Sequence, residues 1–167
     1  GQSRGETGEE NLLSFEHFPN VALVKTYNTN QQVPDSAGTA TAMNTGSKTR
    51  AGVINIGPDA LRGDCAGSQD NQLTPIAADM LAQGRAIGIV STARLTHATP
   101  AAVYAHSPER DWENDAEVPD NQLAAGCTDI AAQLADFDFD IALGGGLAKF
   151  LGSALGGGRR DDAIDLP

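Results

Sequence analysis

Asp35 and Ser36 stand at the head of a run of small residues and threonines, Val33-Pro34-Asp35-Ser36-Ala37-Gly38-Thr39-Ala40-Thr41-Ala42. A helix beginning there presents one hydroxyl among unpaired backbone N–H groups, at the end of the dipole that favours an anion. The chemistry this suggests is a serine that attacks or holds a phosphate. The plainer alternative is that Asp35 or Ser36 caps the helix, since both residue types do so readily. A second polar group lies in the segment from Thr96 to Arg110. Thr99 reads there as a helix cap, and His97 stands just before the helix start, where an anion or a metal could sit. Arg110 offers a permanently charged planar fork suited to phosphate, or a surface ion pair with Glu109 or Asp111. Trp112 is expected to pack beneath this loop. No GxSxG elbow surrounds Ser36, and His17, His97 and His106 are scattered, so a serine–histidine–carboxylate triad has no support. His106 follows an apolar helix and reads as structural, and His17 as surface.

These groups need a scaffold, and the chain's apolar runs supply one. Val21–Val24 reads as a buried strand, Ser36–Lys48 as helical with a break near Gly46, and Val53–Ile56 as a short extended piece. A polar loop through Cys65 to Asn71 follows. Thr74 and Pro75 open a helix as N-cap and first helical residue, with Ile76, Met80 and Leu81 on one face and Gly84 ending it. Ala86–Val90 reads as a buried strand, Thr99–Tyr104 as a helix, and Asp120–Ala135 as one helix with Leu123, Ile130 and Leu134 inward. Phe139–Leu143 is the next strand, running into Gly144-Gly145-Gly146. This triplet and Gly156-Gly157-Gly158 fit no phosphate-loop pattern and read as tight turns. Short continuous apolar strands alternating with helices predict an α/β fold, a mainly parallel sheet with helices on both faces. Ligands of such sheets sit at the carboxyl ends of the strands.

Composition narrows the partners. The 167 residues are 40% hydrophobic and 20% charged, a globular balance. A net charge of −11 excludes a nucleic-acid-binding surface. It leaves a phosphate substrate open, which needs only one or two local cations. No apolar run is long enough to span a membrane. The two cysteines, Cys65 and Cys127, show no zinc-site spacing. The polar surroundings of Cys65 favour a disulfide and an oxidising compartment over two buried thiols. No signal peptide is visible, and both ends read as cut: the chain opens on Gly1 and stops after Asp165-Leu166-Pro167.

Taken in order, several segments resemble alkaline phosphatases. They are Phe18–Asn30, Val33–Ala42, His97-Ala98-Thr99-Pro100-Ala101, Tyr104-Ala105-His106 with Arg110 and Trp112, Cys127-Thr128-Asp129-Ile130-Ala131 and Leu143-Gly144-Gly145-Gly146. The likeness runs from about Gly1 to Phe150 and is nearest to the animal and marine bacterial branch. It implies hydrolysis of small phosphate monoesters through a covalent phosphoserine, with two zinc ions about 4 Å apart and one magnesium ion. It assigns the nucleophile to Ser36, beside zinc, the phosphate fork to Arg110, and the orienting of that fork to Asp35. Thr99 becomes a magnesium ligand, His97 a neighbour of that metal one coordination layer out, and Cys65 and Cys127 a disulfide pair.

The resemblance also implies that residues 1–167 form one partial domain. The first strand, with its metal-binding aspartate, and the C-terminal half, with most zinc ligands, have no counterpart here. Asp161, Asp162 and Asp165 are not credible replacements. Within the family pattern, one glycine triplet should be followed by a basic residue; here Leu147 follows the first and Arg159 the second. The expectations are therefore a hydrolase active only as part of a larger, homodimeric, extracellular or periplasmic enzyme, and a chain with little activity alone. The alternatives are a related metal-dependent phosphodiesterase or sulfatase, and a secreted disulfide-linked module that binds phosphate or a partner without catalysis.

Overall fold

The computed structural model describes residues 11–162 together with residues 3, 5, 7, 8 and 166. Its spine is a parallel pair of strands, β1 (Gly88–Arg94) and β2 (Ile141–Gly145), in register Gly88 with Ile141, Ile89 with Ala142 and Val90 with Leu143. The register then shifts so that Arg94 meets Gly145. Helices α1 (Ser36–Thr45), α2 (Cys65–Gln69) and α3 (Ile76–Ala82) precede β1, and α4 (Ala98–Ala101), α5 (Asp120–Ala124) and α6 (Ile130–Asp136) lie between the strands. Parallel strands require such a crossover.

The core is built largely from alanine. Ala37 and Ala40 of α1 and Ala98, Ala101 and Ala102 at α4 are all buried in one cluster with Ile54, Ile89 and Ile130. Side chains this small let helix backbones approach closely at little entropic cost. Tyr104, Phe137 and Phe139 close one side, with Tyr104 and Phe139 edge-to-face at 5.6 Å. The Tyr104 hydroxyl donates to the Leu95 carbonyl at 2.9 Å. Asn55 adopts a positive φ of 50° inside the buried piece Val53–Ile56. Its Nδ2 donates to the carbonyls of Ala102 and Ala105 at 2.7 and 2.9 Å, satisfying groups that the end of α4 leaves open.

Several expected elements come out differently. Val21–Val24 belongs to no strand, and Leu23 is 99% exposed: an apolar run becomes a strand only where a neighbour accepts its backbone hydrogen bonds. The two strands are less buried than their composition suggests. Of Ala86–Val90 only Ile89 is buried, and Ile141 and Leu143 are exposed. The expected helix Asp120–Ala135 is two helices, because Gly126 at φ 95° turns the chain and Cys127 is tied to Cys65. Leu123 is correspondingly exposed, while Ile130 and Leu134 are buried.

Two cap positions also move. Pro75 rather than Thr74 caps α3, with Ile76 exposed and Ala77 its buried residue. His97 rather than Thr99 caps α4, and that helix stops at Ala101 rather than Tyr104. The polar loop after Cys65 contains the short helix α2, capped by Asp64. Only part of the glycine triplets turns the chain: Gly144 and Gly145 belong to β2 and Gly146 follows at φ 101°, whereas Gly156 and Gly157 lie in a turn, with Gly157 at φ 92°.

The disulfide between Cys65 and Cys127 is present, with Cα atoms 5.7 Å apart. No helix among the described residues is long and apolar enough to cross a membrane.

Candidate functional site: a carboxylate that locks an arginine beside a helix N-terminus

Asp35 is the N-cap of α1, and Ser36 is the first helical residue. The open choice between the two as cap is thus decided for Asp35, whose Oδ1 accepts from Gly38 N–H at 3.0 Å. That leaves the Ser36 side chain uncommitted: it makes no hydrogen bond with a described residue.

Asp35 does much more than cap. Oδ1 also accepts from Asn28 Nδ2 at 2.8 Å, and Oδ2 accepts from Gly52 N–H at 2.9 Å and Arg110 Nη1 at 3.1 Å. The backbone carbonyl of Gly52 in turn accepts from the Arg110 N–H at 2.8 Å. Arg110 is therefore fixed at both backbone and guanidinium by groups that meet on one carboxylate. Gly52 is at φ 79°, and a Cβ there would strike the Arg62 guanidinium at 2.4 Å. Arg62 lies across it, paired through Nε and Nη2 with Glu109 at 2.7 and 2.6 Å. Glu109 is thereby occupied, and Asp111 Oδ1 is 3.9 Å from Arg110 Nε, so the simple surface pairing of Arg110 with its sequence neighbours is not its main contact.

Burial pushes the Asp35 carboxyl up, but hydrogen bonds from Gly38, Gly52, Asn28 and Arg110 outweigh it and hold it below the ordinary 3.8. Its stabilisation is complete above the unfolded value and is lost as pH falls through the lower folded one. We expect Asp35→Ala to cost about 2 kcal/mol, from the lost cap and an unsatisfied Gly52 N–H. Urea unfolding measures it, and a midpoint unchanged from wild type would contradict the assignment.

His97 joins the cluster through Nε2, 3.0 Å from Arg110 Nη2. A guanidinium can only donate, so Nε2 accepts and the ring proton sits on Nδ1. Nδ1 is buried without a partner among the described residues. Burial first, then the charges of Arg110 and Arg94, hold the imidazole below its ordinary pKa and keep it neutral.

The structure brings Asp35, Ser36, His97 and Arg110 to one place. Thr99 is exposed and lines a shallow groove with Met43, Asn44, Val90 and Ser91. His106 is a structural residue, its Nε2 2.9 Å from the Leu73 carbonyl. His17 is exposed and Trp112 buried.

A metal needs converging lone pairs. His97 has given its own to Arg110, and among the described residues no three His, Cys, Asp or Glu side chains converge as a metal site. These side chains do not by themselves make up a zinc or magnesium centre. Asp162 is engaged by Arg160, and Asp165 lies outside the described residues.

Sequence reasoning overlooked Asn28 and Gly52 as holders of this cluster. The turn-prone Ala51-Gly52 was the available signal for Gly52, but nothing local pointed it at Asp35.

The family profile described as "Alkaline phosphatase" matches residues 1–164. This chain belongs to the alkaline phosphatase family. It is 49% identical over 148 residues to the tissue-nonspecific alkaline phosphatase of Gallus gallus, covering 87% of this chain and 28% of that protein. Against the alkaline phosphatase of Gadus morhua the identity is again 49%, over 87% of this chain and 31% of that one. The chain thus spans under a third of the length of these relatives.

Among solved structures, alkaline phosphatase from the Antarctic bacterium TAB5 superposes with a TM-score of 0.67 at 27% identity, over 95% of this chain and 37% of that one. A variant of the TAB5 enzyme has Mg bound in its M3 site. The cold-active enzyme of Shewanella sp. superposes with a TM-score of 0.64 at 31% identity, over 89% of this chain and 31% of that one. The family is one of phosphatase enzymes that generally use metals, and the helices and parallel strands of this chain agree with the α/β fold expected from the motifs.

Proposed function

We propose that this chain supplies the phosphate-contacting part of an enzyme that hydrolyses small phosphate monoesters through a phosphoserine. The observation that carries the reading is the contact of Asp35 with Arg110, one residue from an uncommitted serine at a helix N-terminus. Asp35 and His97 each take one N–H of the Arg110 fork, leaving the other guanidinium N–H groups to grip two phosphate oxygens. Ser36 Oγ forms a new bond to phosphorus as the ester P–O bond breaks and the alcohol departs. Water then cleaves the Ser36 phosphoester and restores the hydroxyl. Two zinc ions and one magnesium ion would be the cofactors of this reading, held mostly by residues outside this sequence; Thr99 would serve as a magnesium ligand and His97 would lie one coordination layer out from it. The disulfide supports an extracellular or periplasmic location.

The chain alone, supplied with zinc, magnesium and a chromogenic phosphomonoester, is expected to turn over little. Turnover abolished by Ser36→Ala would overturn the placing of the metal ligands elsewhere. Grafted in place of its counterpart in the Gallus gallus relative, the segment is expected to restore hydrolysis. Acid quenching should then leave phosphate on Ser36, read by mass spectrometry, and Ser36→Ala should lose both signals. Phosphate on a different residue would sink the reading.

A further inference from the structure

We propose that a cationic cavity formed by Arg94, Lys149 and Arg159 is a second anion subsite, which takes the second phosphate of a bisphosphorylated small molecule whose first phosphate lies on Arg110. The proposal rests on the reading of Arg110 as a phosphate fork. The cavity has a volume of about 360 Å³ and is lined also by Glu113, Gly146 and Ala148. In a chain of net charge −11, it gathers three of the eleven basic side chains.

The carboxylates present do not engage every one of these cations. Glu113 takes Arg94 Nε and Nη2 at 2.7 and 2.6 Å, and Glu117 takes Lys149 Nζ. Asp111 also acts on Arg94 from further off, and Arg159 is the cation left without a carboxylate contact among the described residues. Donors also remain: Nη1 of Arg94, two hydrogens of the Lys149 ammonium, and the whole Arg159 guanidinium, which is exposed and forms no ion pair with a described residue. The Lys149 side chain is only 9% exposed, so its charge acts in surroundings where a ligand anion is felt strongly.

Position supports a ligand there. Arg94 and Gly145 end the two parallel strands, and Gly146 follows with the Arg94 stem packed on it. Open parallel sheets bind ligands at this carboxyl edge. The same two segments are joined twice: Arg94 pairs with Glu113, and His97, three residues after Arg94, meets Arg110, three residues before Glu113. His97 N–H donates to the Arg94 carbonyl at 3.0 Å, so these two lie in one turn. Glu113 is three residues from Arg110, placing their Cα atoms at most about 11 Å apart. The charges of Arg110 and Arg94 both act on His97, so the two sites are neighbours; a ligand with two phosphates on a short carbon skeleton is the class that would engage both, whereas a lone phosphate engages one.

Titration calorimetry of the chain in low-salt buffer tests this with a hexose bisphosphate against the corresponding hexose monophosphate. The bisphosphate is expected to bind about tenfold more tightly, the worth of one further charge-assisted contact. Arg159→Gln should erase that advantage and leave monophosphate affinity unchanged; Arg159 is exposed, so folding is not at stake. Equal affinities in the wild type, or an advantage that survives Arg159→Gln, overturns the inference. Arg110→Gln separates the two proposals. It should weaken both ligands, and if monophosphate binding is untouched while Arg159→Gln still removes the bisphosphate advantage, the phosphate fork fails and the cationic subsite stands.

Discussion

Arg160→Ala is expected to destabilise the chain by about 3–5 kcal/mol, the cost of leaving buried carboxylates without their cation. Arg160 is 2% exposed, and its guanidinium meets Asp129 through Nη1 and Nη2 at 2.9 and 3.2 Å. It also holds Asp162 at 2.8 and 3.1 Å and lies 3.8 Å from Asp115. Asp129 is itself nearly buried and caps α6 by accepting from Ala132 N–H at 3.0 Å. One arginine therefore ties the residues around 160 to the start of α6 and to the turn at Asp115. Burial alone would lower its pKa, but the contacts with Asp162 and Asp129 raise it, so the charge stays in place at every working pH. Arg160→Lys keeps a charge but loses the fork and should fall between the two. Urea unfolding gives the values. Placing Arg160→Ala in an Asp129→Asn background should reduce its cost, because the orphaned charge is then absent. A loss under about 0.5 kcal/mol in the wild-type background, the size of an ordinary surface change, would refute this role.

Opening the Cys65–Cys127 disulfide should cost about 4 kcal/mol by the chain-entropy relation for a sequence separation of 62 residues. The bond does more than close a loop. It joins α2 to the turn that separates α5 from α6, where Gln122 Oε1 accepts from Cys65 N–H at 3.0 Å and Gln69 Nε2 donates to the Ala125 carbonyl at 2.8 Å. These contacts exist only in the folded chain, whereas the disulfide still joins the two segments once the chain unfolds. Cys65→Ser with Cys127→Ser, compared with wild type in denaturant with and without reductant, isolates the effect. Oxidised wild type should unfold at clearly higher denaturant than the double variant, and reduced wild type should coincide with it. Coincidence of all three curves would show that the bond adds nothing. The loss should not depend on metal, since neither cysteine belongs to the cluster around Arg110.

The sequence alone determined the features that depend on local chemistry. Asp35 and Ser36 ahead of small, helix-tolerant residues specify a capped helix start, and only the structure makes Asp35 the cap and Ser36 the first helical residue. The polar setting of Cys65 favoured a disulfide, and two apolar runs separated by helices implied parallel pairing. The ordered motifs pointed to the alkaline phosphatase family because they are specific at the level of residue strings. Tertiary structure decided whatever depends on distant partners. Arg110 had Glu109 and Asp111 within easy reach, yet Arg62 arrives across Gly52 to occupy Glu109, and Arg110 turns to Asp35, 75 residues away. Val21–Val24 has the composition of a strand and no ladder to join. The helix expected over Asp120–Ala135 breaks where Gly126 and the disulfide pull it aside. Arg160 passes for a surface residue until Asp115, Asp129 and Asp162 close around it. Caps and hydrophobic periodicity are short-range and can be read along the chain, whereas ion pairing and strand pairing are chosen by which segments the fold brings together.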